Sequence, residues 1–179
     1  MATITLVTGG ARSGKSGVAQ EMAESLPGRR VFVATAPALD REMQERIQRH
    51  QDERRNNGWH TIEAERDLAG VLTADGQHEV MLIDCLTLWI NNLMFAAGEL
   101  DEAEVTAKCA ELLAACRIRP GQVIFVTNEV GLGIVPDNPL ARRYRDLVGR
   151  CNQVIAKAAD EVILVTCGIP QVIKPLKMA

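Results

Sequence analysis

The chain has 179 residues, a formal net charge of −3, 47% hydrophobic residues and only 3% aromatic ones. That length holds one domain with a sizeable core and is tight for two. The charge balance and the scarcity of rings argue against a nucleic-acid partner, and no apolar run approaches the about 18 residues of a membrane span.

Ile4 to Val7 is a short apolar run that reads as the first strand, so no signal peptide is expected. Gly9-x4-Gly14-Lys15-Ser16 follows, and then a helix-like stretch from Val18 to Leu26. Between a strand and a helix this spacing matches a phosphate-binding P-loop, against the alternative of an ordinary glycine-rich turn. Glycines let the backbone approach an anion closely. Successive N–H groups then share one concavity with the positive end of the helix. Lys15 would reach the β- and γ-phosphates, and Ser16 would hold Mg²⁺.

Val31–Ala34, Val80–Ile83, Val123–Val126 and Val162–Val165 are further continuous aliphatic runs. Such runs suit strands buried on both faces, and the helical patterns between them predict βα units with a mostly parallel sheet covered by helices. Residues 1–179 read as one domain. Val172-Ile173 is expected to add a short edge strand beyond Pro170. Asp40 can cap a helix over 40–55 that places Met43, Ile47 and His50 on one face and ends at the stop signal Asn56-Asn57-Gly58. His50 on that stripe fits a satisfied core histidine as readily as a functional one. Trp59 precedes a short strand around Thr61-Ile62. His60 and His78 have no chemical context and read as surface residues.

Asp84 ends an apolar strand, where P-loop enzymes place a carboxylate serving Mg²⁺ directly or through water. Thr87, Trp89 and Asn91 then fit a partly buried helix face, and two helices separated near Gly98 are expected before Val123. The five cysteines, at 85, 109, 116, 151 and 167, form no metal-binding spacing and fit reduced thiols in a cytoplasmic protein. Cys109 and Cys116, seven apart, read as core. The segment 127–150 leaves a strand through a Gly/Pro-rich loop and enters a helix capped by Asn138 with Pro139 in its first turn. Glu129, in a loop at a strand's carboxyl end, is either a site carboxylate or plain turn chemistry. Arg142, Arg143, Arg145 and Arg150 either serve phosphates or form a solvated face with Asp146 as partner.

Taken together, "TLVTGGARSGKS", "ATAPALDREMQERIQRHQ", "WHTIEAE", "DCLTLWINNL" and "TNEVGLGIVPDNPLARRYRDLVGRCNQ" resemble the bifunctional adenosylcobinamide kinase/adenosylcobinamide-phosphate guanylyltransferase family over nearly the whole chain. The resemblance implies a RecA-like P-loop fold that commonly forms trimers. It implies phosphorylation of the aminopropanol hydroxyl of adenosylcobinamide by ATP or GTP. Transfer of GMP from GTP to that phosphate follows, giving adenosylcobinamide-GDP and pyrophosphate. His50 matches the family histidine that carries GMP covalently, a role that displaces the core-histidine reading. Lys15 is the second catalytic residue implied. Nucleotide contacts fall on Gly9, Gly10, Ala11, Arg12, Ser13, Gly14, Lys15, Ser16, Ala34, Thr35, Ala36, Gln51, Asp52, Glu53, Arg54, Glu63 and Asp84. Ser16 and Asp84 remain the residues expected to serve Mg²⁺, directly or through water, from the P-loop pattern. The chain departs from the family pattern His-Arg/Lys-x-x-Arg-Pro-x-x-Trp after His50: it lacks the basic residue and the proline and has one extra residue before Trp59.

A neutral imidazole is a good nucleophile near pH 7, its reference pKa being about 6.5. A covalent intermediate divides guanylyl transfer into two displacements at the α-phosphorus. Two other readings of the residues remain open at this point: a monofunctional P-loop kinase for another small alcohol or nucleotide, in which His50 is inert, and a non-catalytic GTP-binding switch.

Overall fold

The computed structural model describes residues 1–36 and 57–176. The expected helix over 40–55, with His50 and Gln51 to Arg54, lies outside the described residues. Seven strands form one sheet: β1 (Thr3–Gly9), β2 (Arg30–Ala34), β3 (Trp59–Glu63), β4 (Val80–Asp84), β5 (Gln122–Val126), β6 (Glu161–Thr166) and β7 (Ile169–Lys174). Their order is β3-β2-β4-β5-β1-β6-β7. The first six are parallel, and β7 runs antiparallel to β6 at the edge.

Each aliphatic run serves two cores, because alternate side chains point to opposite faces. Ile4, Leu6, Met81, Ile83, Val123 and Phe125 face one side, under α2 (Leu68–Ala74), α3 (Leu86–Ala97), α4 (Glu102–Ile118) and α5 (Pro139–Ala158). Val7, Val80, Leu82, Ile124 and Val126 face the other, where α1 (Lys15–Ser25) packs through Ala19 and Ala23. A polar residue in these runs would face a helix on either side, which explains their unbroken apolar character.

Local chemistry sets the helix ends. Gly98, at φ 72°, closes α3, and a reciprocal pair opens α4: Asp101 Oδ1 accepts from Glu104 N at 2.8 Å while Glu104 Oε2 accepts from Asp101 N at 2.8 Å. Asn138 Oδ1 accepts from Leu140 N and Ala141 N, with Pro139 first in α5, as expected. At the other end of α5, the ammonium of Lys174 reaches the carbonyls of Ala156, Lys157 and Ala159.

Three sequence expectations need correction. The edge strand is longer than Val172-Ile173 and contains Pro170, which pairs with Val165. An edge tolerates a residue without an N–H where a central strand does not. His78 is not a surface residue: its side chain is 13% exposed, bonds Asp75 Oδ1 through Nδ1 at 2.7 Å and stacks on His60 with centroids 5.2 Å apart. Neither histidine lacks context, since the amino ends of β3 and β4 bring the rings together. Among the described residues, no ion pair joins the four arginines of α5 to Asp146. Arg142 bonds the carbonyls of Pro136 and Asp137, Arg143 that of Leu100, Arg145 that of Gly131, and Arg150 the Thr106 hydroxyl. They fasten the loop before α5 and the start of α4.

Candidate active site

The carboxyl ends of β1 to β5 share one edge of the sheet, where a parallel α/β fold places its ligands. Gly9 to Ser16 lie there, between β1 and α1. The loop turns through two left-handed residues, Arg12 at φ 56° and Gly14 at φ 91°. Gly9 is needed for close approach: a Cβ there would meet Val165 O at 2.5 Å and Ser13 Oγ at 2.6 Å. Gly14 stands at the N-cap of α1 and offers no side-chain cap, and the first turn of α1 carries no acidic residue. The free N–H groups and the dipole end are therefore open to an anion. A second tether holds the loop from below. The β6–β7 turn, Cys167-Gly168, has both residues at positive φ, and Gly168 N donates to Ser13 O at 2.8 Å.

Lys15 Nζ donates to Gly10 O at 3.1 Å and to Asn128 Oδ1 at 2.9 Å, so the ammonium lies over the loop. Asn128 and Glu129 follow β5, the strand next to β1. Thr8 Oγ1 donates to Glu129 Oε1 at 2.6 Å, and Glu129 N donates to Gly9 O at 3.1 Å. From α5, Asn152 Nδ2 donates to Glu129 Oε1 at 3.2 Å and to Asn128 O at 3.1 Å, while its Oδ1 accepts from Thr127 Oγ1 at 2.6 Å. Thr87, from α3, accepts the N–H of Asn128 at 2.9 Å.

Asp84 ends β4, two strands from β1, and Glu63 ends β3, four strands away. At ~4.8 Å per strand those steps place them about 10 Å and about 19 Å along the edge from the P-loop strand. Between them, β2 ends in Ala34, followed by Thr35 and Ala36. Ala34 O accepts from Ala64 N, and fully buried Thr35 bridges to Cys85 in both directions, its hydroxyl donating to Cys85 O and accepting from Cys85 N. Asn92 Nδ2 donates to Thr35 O at 2.8 Å and Glu65 O at 3.0 Å. Burial, aided by the Asp84 charge, pushes the Cys85 thiol up and keeps it protonated beside the carboxylate. Burial likewise lifts the Tyr144 hydroxyl to about 12, and that hydroxyl donates to Thr87 O.

The structure thus assembles the P-loop, Ala34 to Ala36, Glu63 and Asp84 on one edge. It adds Thr8, Asn92, Asn128 and Asn152, for which the sequence suggested no role, and Thr87, expected only as part of a partly buried helix face. One signal was available for Asn152: it interrupts the apolar stripe Leu147, Val148, Cys151, Ile155 of α5, and a buried polar side chain there needs a partner. Ser16 and Asp84 offer a hydroxyl and a carboxylate oxygen, the hard donor set that suits Mg²⁺.

The sequence profile described as cobinamide kinase/cobinamide phosphate guanyltransferase matches residues 5–173. The bifunctional adenosylcobalamin biosynthesis protein CobU of Salmonella typhimurium is 44% identical over 180 residues, covering 94% of this chain and 98% of that protein. The Escherichia coli CobU is also 44% identical at the same coverages, and the Pseudomonas aeruginosa CobP is 38% identical over 94% of this chain and 96% of its own length. Among solved structures, a KaiC-like protein of Pyrococcus horikoshii superposes with a TM-score of 0.53 at 16% identity, covering 90% of this chain and 70% of that one, which supports the fold. No helix among the described residues is long and apolar enough to cross a membrane. The chain belongs to the cobinamide kinase/cobinamide phosphate guanyltransferase family and is a bifunctional enzyme of it.

Proposed function

We propose that this protein phosphorylates the aminopropanol hydroxyl of adenosylcobinamide with ATP or GTP and then moves GMP from GTP onto the new phosphate through a guanylyl-histidine at His50. Adenosylcobinamide-GDP and pyrophosphate are the products. The observation that carries the reading is the uncapped α1 N-terminus behind a loop with Arg12 and Gly14 in left-handed conformation. That loop lies in a chain similar over nearly its whole length to bifunctional relatives. Gly9 to Ser16 cradle the triphosphate, and Lys15 turns from Asn128 onto the β- and γ-oxygens. Ala34, Thr35, Ala36 and Glu63 lie along the edge where the rest of an extended nucleotide would run. Gln51 to Arg54 add contacts by family resemblance. Ser16, with Asp84 directly or through water, holds Mg²⁺, which neutralises charge on the phosphates when bound.

The two transfers ask for different atoms from one site. Kinase chemistry attacks the γ-phosphorus with an alcohol. Guanylyl transfer attacks the α-phosphorus with a neutral imidazole nitrogen and then passes GMP to a phosphate oxygen. Backbone amides and Lys15 stabilise developing charge on phosphate oxygens in both. Exposed apolar side chains at Leu132, Ile134 and Val135 and along β7, at Ile169, Val172 and Ile173, support assembly into a homo-oligomer, a trimer by family resemblance.

The test is labelling by GTP. α-Labelled GTP leaves label on the wild-type protein through denaturation, and γ-labelled GTP leaves none by this route. A phosphorus–nitrogen bond to imidazole releases the label in acid and keeps it in alkali. His50→Asn takes no label, keeps kinase activity and loses GMP transfer. Label on the His50 variant contradicts the assignment.

A further inference from the structure

We infer that Glu129 is the general base of the kinase half-reaction, taking the proton from the acceptor hydroxyl as that oxygen attacks the γ-phosphorus. The inference rests on the two-step reading above and adds a residue to it. Glu129 is the first carboxylate beyond β5, the strand adjacent to the P-loop strand, and its own N–H is bonded to Gly9 O at 3.1 Å. The residue before it, Asn128, receives Lys15 Nζ at 2.9 Å. A carboxylate one residue from the lysine's resting place is next to where that lysine delivers a γ-phosphate. Asp84 and Glu63 stand two and four strands from β1.

The side chain is also aimed. Thr8 Oγ1 and Asn152 Nδ2 both donate to Oε1, at 2.6 and 3.2 Å. Among the described residues, every hydrogen bond recorded to this carboxylate falls on Oε1. Asn152 is itself fixed by Thr127 Oγ1 at 2.6 Å and by Asn128 O at 3.1 Å. Donors drawn from β1 and α5 therefore grip one oxygen and leave Oε2 to meet a hydroxyl. A group this closely held suits proton transfer, which needs hydrogen-bond reach to the proton it removes.

The chemistry assigns this base to one half-reaction. In the kinase step the alcohol oxygen forms a bond to the γ-phosphorus and the bond to the bridging oxygen of the nucleoside diphosphate breaks. The alcohol proton passes to Oε2, and the neutral acid returns it to water after turnover. In guanylyl transfer the attacking atoms are an imidazole nitrogen and a phosphate oxygen, and no alcohol proton has to leave. A glutamate that merely braced the P-loop, or held metal for both reactions, would slow both alike.

Glu129→Gln keeps the shape and an oxygen for Thr8 to bond, but it cannot take a proton. We expect its kinase kcat, measured with adenosylcobinamide and ATP, to fall about 10²–10⁴-fold. Its GMP transfer, measured with adenosylcobinamide phosphate and GTP, falls at least tenfold less. In Glu129→Ala, added formate restores part of the kinase rate and does nothing for GMP transfer. Equal losses in the two half-reactions, a kinase rate within threefold of wild type, or no rescue by formate in a folded Glu129→Ala protein each overturn the assignment. Absence of both activities in the wild-type protein would instead contradict the functional reading on which it rests.

Discussion

Gly9→Ala and Gly10→Ala differ by one methyl in adjacent positions of the same loop, and the structure separates them sharply. At Gly9 the new carbon meets Val165 O at 2.5 Å, Ser13 Oγ at 2.6 Å and Ser13 Cβ at 3.2 Å. Optimal contacts lie near 3.5–4.0 Å, so each of these is repulsive. Ser13 can turn aside; Val165 O cannot, because Gly9 and Val165 are register partners in the β1–β6 ladder. The strands must spread or the loop must lift. Forced overpacking of this kind costs about 1–3 kcal/mol, or about 2–12 °C in Tm for a chain of this size. At Gly10 no heavy atom of the described residues beyond its chain neighbours lies within 4 Å of the added carbon, and φ is not positive at either glycine. Gly10→Ala is therefore expected within about 0.5 kcal/mol of wild type, or slightly more stable because the unfolded chain is stiffer. Urea unfolding with and without ATP reads both effects: Gly9→Ala lowers the midpoint and shrinks the ATP-induced shift, because a lifted loop binds phosphate less well. Equal midpoints for the two variants would refute the packing argument for Gly9.

Other outcomes follow from the geometry. Burial pushes the Asp75 carboxyl up, but its hydrogen bond and charge partner His78, the Gln77 amide and Arg119 outweigh it and hold the group below its usual range. Its contribution to stability is present in full above the unfolded-state value near 3.9 and is lost as the pH falls through the lower folded-state value. Asp75→Asn should flatten the acid limb of the urea-midpoint profile, and identical limbs in the two proteins would contradict the pairing. Cys167 is exposed, while Cys109, Cys116 and Cys151 are buried, with the Cys116 thiol pushed up to about 12 by burial. A thiol reagent should therefore label Cys167 first and the buried thiols only on unfolding, as counted by mass spectrometry; fast labelling of Cys116 would argue against the α4 packing. Asp84→Asn should raise the Mg²⁺ concentration for half-maximal activity about 10–100-fold, and an unchanged requirement in a folded variant would remove Asp84 from the metal's surroundings.

Features that depend on neighbours in the chain were legible before the fold was known. The P-loop is a spacing of glycines, lysine and serine, and the buried parallel strands announce themselves as unbroken aliphatic runs. Asn138-Pro139 signals a helix start by its own chemistry. The network behind the site was not legible, because it is built across the chain: Thr8 and Glu129 are 121 positions apart and Asn152 is a further 23 away. Glu129 stood out as a loop carboxylate and Asn152 as a polar break in an apolar stripe, but nothing in the sequence joins them to each other or to Thr8 until β1, β5 and α5 meet. Arg119 is a similar case. It sits just beyond α4, 6% exposed, with Nη2 donating to His78 O at 2.6 Å, a partner on a distant loop. His60 and His78 lie 18 positions apart in the sequence, and only the parallel pairing of β2 with both β3 and β4 brings them together. His50 has a different standing: its assigned role comes from family resemblance, and its position is outside the described residues.

The central claim is that one phosphate cradle serves both transfers. Lys15→Ala tests it most directly, with the half-reactions supplied separately: adenosylcobinamide and ATP for the first, adenosylcobinamide phosphate and GTP for the second. Lys15 reaches the loop through Gly10 O and Asn128 Oδ1, and its replacement removes a principal electrostatic stabiliser without adding bulk. The expected loss is about 2.7–4 kcal/mol in barrier, or about 10²–10³-fold in rate, in each half-reaction. A variant that loses one transfer and runs the other at nearly the wild-type rate would contradict the shared site.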